Sequence, residues 1–141
     1  MFEEVRRRCD AIEECYEFML AYAAQGLPGD SGSQSGGQLR ELLRSAVAAL
    51  TGLAEAYAEA VTEESPQSAE KYKAFLHVLD RDSRDSLAAL ELVLAQPSLS
   101  SQLIDNLNAS IHLRALLTDL FLIDELLKLQ HITAAPAEAE G

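Results

Sequence analysis

Residues 2–23 read FEEVRRRCDAIEECYEFMLAYA, and the spacing of their apolar side chains decides the fold class. Phe2, Val5, Cys9, Ile12, Tyr16, Met19 and Ala23 recur at intervals of three and four. That is the period of an α-helix that lays one face against neighbouring helices. A second stripe, Ala11, Cys15, Phe18 and Tyr22, runs beside the first about a third of the way round. The later half of this helix is therefore apolar over more than one face. Gly26, Pro28 and Gly29 end it, so the pattern predicts a first helix over 2–25.

The same rhythm continues outward. Leu39, Leu43, Ala46, Leu50, Leu53, Tyr57 and Ala60 predict one helix over 38–64, with alanines along one flank that let a neighbour approach closely. Ser65 and Pro66 read as an N-cap and a first helical residue. The helix they open runs over 66–95 despite seven consecutive polar residues at 80–86. Tyr72, Phe75, Leu76 and Leu79 keep angular phase with Leu87, Leu90, Val93 and Leu94, and Asp80–Arg84 and Arg81–Asp85 are favourable pairs four apart. Ser83 and Ser86 fall in this leucine seam. After Pro97 the apolar phase switches. Leu103, Ile104, Leu107 and Ile111 share one side, whereas Leu113, Leu116, Leu120, Ile123 and Leu127 share nearly the opposite one. Asn106, Asn108 and Ser110 favour caps over helix interiors. A short helix over 98–107, a break, and a main helix to residue 130 are expected. Residues 26–37 (GLPGDSGSQSGG) read as a flexible Gly/Ser spacer, and 132–141 as a frayed acidic tail.

The expectation is an all-α fold: a four-helix antiparallel bundle with a kinked or broken last helix, forming a single domain over 1–131. At 141 residues the chain is long enough to bury a single core. With 11 basic and 23 acidic residues its formal net charge is −12, which repels phosphate backbones and anionic lipid, so neither nucleic acid nor a membrane is expected as partner. Arg6, Arg7 and Arg8 fan around a helix and read as solvated partners of Glu3, Glu4 and Asp10. The acidic Phe2-Glu3-Glu4 opening is unlike a signal peptide, and a cytoplasmic location is expected. Cys9 and Cys15, six apart on one helix, do not bridge each other and read as buried thiols.

The motif-like strings carry little chemistry. Glu13-Glu14-Cys15-Tyr16-Glu17 resembles the EExxE signature of the all-α nucleotide pyrophosphohydrolases, a resemblance that implies magnesium held by carboxylates. That family pairs it with ExxD on the next helix, and Glu41, Glu55 and Glu59 have no Asp three residues on. The string thus reads as a solvated acidic face. No Glu-x-x-His occurs, which disfavours a di-iron site. His112 lies on a polar stripe with Asp105, Asn108 and Asp119 and resembles the reactive histidine of phosphotransfer domains. It lacks their downstream basic residue and glycine, having Ala115 and Leu116 there. No catalytic, cofactor-binding or metal-binding residue is assigned, and an enzyme is not expected.

What remains is surplus apolar surface. Cys15, Phe18 and Tyr22 widen the first helix, and Phe121, Leu122, Leu126 and Leu129 widen the last. The leading expectation is an interaction protein that forms a homodimer, or holds a helical partner, through these seven residues. The alternatives are a small-molecule carrier with a cavity at Ser83 and Ser86, and phosphotransfer at His112.

Overall fold

The computed structural model describes the backbone of residues 2–140 and the side chains of residues 2–129. It is all-helical, in the order α1 (Phe2–Ala24), α2 (Gln34–Leu50), α3 (Leu53–Glu64), α4 (Ala69–Leu94), α5 (Ser101–Asn108) and α6 (Ile111–Glu140). The side chains of the tail at 132–141 lie outside the described residues. α1 packs against α2, α3 and α5, α4 against α2, α3 and α6, and α5 lightly against α6. One continuous core results, with Tyr22, Met19, Leu39, Leu43, Tyr57, Leu79, Leu90, Leu116 and Leu120 fully enclosed.

Two boundaries differ from the sequence reading. The single helix expected over 38–64 is two helices, broken at Thr51 and Gly52. Thr51 is extended, and Gly52 takes φ +78°, the left-handed region where a residue without Cβ is not strained. Arg8 closes this break from α1. Its guanidinium donates to the Ala49 carbonyl at 3.0 Å and the Thr51 carbonyl at 2.6 Å, satisfying acceptors left bare where α2 stops. Arg8 is therefore more than the solvated partner of Glu4 that its sequence context suggests, although that ion pair also forms. The apolar phase runs unbroken from Leu50 to Leu53, which hides the interruption from a periodicity argument.

The stretch at 26–37 is also more ordered than a spacer. Ser33 caps α2 by accepting from the Gly36 N–H at 2.9 Å, so residues 34–37 are already helical. Asp30 sits beneath that turn. Its carboxylate accepts from the Arg40 guanidinium and, at 2.6 Å, from the Leu99 N–H. Arg40 in turn donates to the carbonyls of Leu94 and Gln96, capping the end of α4. Beside it, Tyr22 donates to the Leu99 carbonyl at 2.7 Å, and Ser101 donates to the Tyr22 carbonyl at 2.7 Å and accepts from the Leu27 N–H. These bonds clamp the exit of α1, the start of α2, the exit of α4 and the start of α5 at one place.

α4 is continuous through its polar stretch and buries Ser83 and Ser86. It begins at Ala69, after a turn over 66–68 in place of the helical start expected at Pro66. Ser100 caps α5 by accepting from the Leu103 N–H at 3.0 Å. The chain then breaks at Ala109 and Ser110 before α6. α6 runs antiparallel to α4, since Ser86 meets His112 while Asp82, a turn earlier, meets Asp119.

Gly36 has no room for a side chain, because a Cβ there would collide with the Asp30 carbonyl, whereas a Cβ on Gly37 meets nothing. Gly36→Ala is expected to cost about 2 kcal/mol or more, and Gly37→Ala to be neutral or stabilising by up to about 1 kcal/mol. Paired urea melts of the two variants check this.

Candidate functional site

α6 is apolar nearly all the way round, and its two sides have different fates. Leu113, Leu116, Leu117, Leu120 and Ile123 face the core. On the opposite side Ile111, Phe121, Leu122, Leu126 and Leu129 stand exposed, Ile111 at 75% and Phe121 at 59%. Elsewhere among the described residues the large exposed apolar side chains are Leu20, Val78 and Leu92, scattered over two other helices. The outer side of α6 is thus a patch, where the rest is ordinary surface. Thr118, exposed in the middle of the stripe, donates its hydroxyl to the Arg114 carbonyl at 2.9 Å.

The structure separates the seven residues that sequence placed in one interface. Phe121, Leu122, Leu126 and Leu129 are exposed, but Cys15 and Tyr22 are enclosed at 1% and 0% exposure, and Phe18 is half-buried. Tyr22 belongs to the junction with α5 through Leu99 and Ser101. The surplus stripe of α1 is therefore largely core, because α1 packs against α2, α3 and α5. Ile111, which periodicity grouped with the apolar face of the preceding short helix, belongs to the outer stripe of α6.

Ser83 and Ser86 lie in the α4–α6 contact. Ser86 donates to the His112 carbonyl at 3.0 Å, and Ser83 Oγ has no hydrogen-bond partner among the described residues. Two open hollows lie elsewhere. An open groove of about 440 Å³ between α3 and α4 is lined by Ala54, Ala58, Val61, Leu76, Lys73 and Asp80. A second, of about 370 Å³, lies near Pro97. His112 is exposed, with Nδ1 4.0 Å from Asp85 Oδ2. Its supposed companions Asn108 and Asp119 are not surface residues, being 7% and 8% exposed.

Two polar clusters in the packing escaped the sequence reading. In the first, Tyr57 donates to Asp124 Oδ1 at 2.8 Å and lies 3.1 Å from Cys9 Sγ, linking α1, α3 and α6. Burial pushes the Cys9 thiol up to about 12, and Tyr57 well above the usual phenol range. Cys15, with no such partner, is also pushed up to about 12 by burial. Neither thiol is a nucleophile at neutral pH. In the second cluster the Asp119 carboxyl meets that of Asp82 across the α4–α6 contact. Burial, then the hydrogen bond and charge of Asp82, pushes Asp119 up to about 7. Periodicity marks Asp119 as polar but cannot show that another carboxyl lies opposite. Among the described residues no group of three or more His, Cys, Asp or Glu is placed to hold a metal ion, and no helix is long and apolar enough to cross a membrane.

No protein-family model, curated protein or solved structure matches the chain.

A carboxyl whose folded pKa is raised stabilises the protein below its unfolded pKa and loses that contribution as pH rises through the folded value. For Asp119 the loss spreads over the interval from its ordinary value of 3.8 to the folded value of about 7 and is nearly complete there. It is expected to remove about 2 kcal/mol between pH 5 and pH 8, and Asp119→Asn is expected to flatten this slope in urea melts. The buried thiols generate a second expectation. Cys9 and Cys15 should resist iodoacetamide at pH 8 in the folded protein, and both should alkylate in urea, as mass spectrometry would count.

Proposed function

We propose that the chain is a non-enzymatic interaction protein that self-associates through the outer face of α6. In this reading α1, α2 with α3, α4 and α6 form the four arms of an antiparallel bundle, which holds α6 with one side in the core and the other offered to a partner. The observation that carries it is the grouping of Ile111, Phe121, Leu122 and Leu126 on one exposed helix side. Leaving so much contiguous apolar surface in water is unfavourable by about 25 cal/mol per Å2, and a helix pressed against it recovers that. The core-facing side of α6 holds the helix in place without these residues, so they are spared for contact. Two buried thiols without disulfide partners favour a reducing compartment such as the cytoplasm.

The earlier interface narrows accordingly to the α6 residues. The carrier reading is weaker, since Ser86 is satisfied by a backbone carbonyl and the open groove of about 440 Å³ lies between α3 and α4.

Sedimentation equilibrium is expected to show a dimer at micromolar concentration. Leu122→Asp should yield a monomer with an unchanged circular-dichroism spectrum, because Leu122 is exposed in the single chain. A wild-type protein that stays monomeric at about 100 µM, a concentration where even a weak helix pairing is populated, rejects the proposal.

A further inference from the structure

The outer stripe of α6 has an internal symmetry that the proposed self-association leaves unspecified. Ile111 and Leu122, Ala115 and Leu126, and Thr118 and Leu129 are each eleven residues apart. Eleven residues make three turns at 3.67 per turn, close to the natural helix, so the stripe runs almost straight along the axis. A second straight helix can follow it for five turns.

Arg114 and Glu125 are also eleven apart, so they lie on the same flank of the stripe, and both are exposed. Two helices packed antiparallel bring like flanks together, whereas parallel helices set each flank against the opposite one. Opposite charges on one flank therefore complement each other only in an antiparallel pair.

Side-chain size points the same way. The first half of the stripe holds the small residues Ala115 and Thr118, and the second holds Leu122 and Leu126. Antiparallel packing about a point near residue 120 sets Leu122 over Thr118 and Leu126 over Ala115. Parallel packing would stack leucine on leucine and leave the Ala115 layer thin. The Thr118 hydroxyl, bonded to the Arg114 carbonyl, imposes no unsatisfied donor at the centre.

We infer that the partner of α6 is the α6 of a second copy of this chain, lying antiparallel across a two-fold axis near residue 120, with Arg114 of each copy facing Glu125 of the other. This rests on the self-association reading and adds its geometry. The symmetric arrangement forms each contact twice and closes on itself, so it stops at two copies.

The test uses the full-length chain carrying Ala115→Cys or Leu126→Cys. The native thiols are buried and remain silent. Under mild oxidation a mixture of the two proteins should yield mostly the mixed disulfide dimer, identified by its mass. Neither protein alone should cross-link efficiently, because in the antiparallel pair identical positions stand about 15 Å or more apart, beyond disulfide reach. In a second measurement, Arg114→Glu and Glu125→Arg should each weaken the dimer about fivefold or more, and the double variant should restore it to within about twofold. A wild-type dimer that overturns the inference would be one in which each single-cysteine protein cross-links with itself, or in which the reversed pair fails to restore affinity. A wild-type monomer instead overturns the self-association reading beneath it, so the two failures are distinguishable.

Discussion

The Asp30 carboxylate receives the Arg40 guanidinium on one side and the Leu99 N–H on the other, and the remaining structure is arranged around that meeting point. A carboxylate held by a charged donor and a backbone donor is a strong local constraint, and the paired guanidinium lowers the Asp30 pKa from its ordinary value. Arg40 also takes the Leu94 and Gln96 carbonyls, where α4 would otherwise end with bare acceptors. Four helix ends are joined there, and the apolar faces of those helices close over one another as a consequence. In a chain of net charge −12, a well-placed arginine has unusual leverage.

Arg8 does the same service at the opposite end of α2, closing the Thr51–Gly52 break. Between these two arginines the interior is filled mostly by leucine with smaller aliphatic side chains, and several of its polar groups are tied in. Tyr57 bridges Cys9 and Asp124, and Ser86 holds the first turn of α6 to α4. At Asp119 and Asp82, in the α4–α6 contact, ionisation works against the packing. α6 is thus held firmly on its inner side by apolar burial and conditionally by a carboxyl pair, with its outer side open.

How much was legible follows from what periodicity measures. Angular phase is a property of a helix alone, so the seam of α1, the continuity of α4 through Ser83 and Ser86, and the change of face near Asn108 can all be reached from residue spacing. The α2–α3 break cannot, because Leu50 and Leu53 stay in phase while the backbone turns through Gly52. Asp30 is the one charged residue in the glycine-rich stretch 26–37, and spacing gives no sign of its partners Arg40 and Leu99, which come from two other segments. Tyr57, Asp124 and Asp119 were hidden for the same reason: each acquires its chemistry from a residue on another helix.

Sequence alone determined that this chain is helical, that its helices have apolar faces to bury, and that α1 and α6 each carry more apolar surface than one face requires. Only the tertiary structure decided which surplus is covered. Tyr22 disappears because Leu99 and Ser101, nearly eighty residues further on, fold back onto it. Leu122 stays exposed because no described segment of the chain lies over it. An apolar stripe records a demand for a neighbour, but the neighbour's position is set by where distant parts of the chain are pinned, and spacing along one helix contains nothing of that.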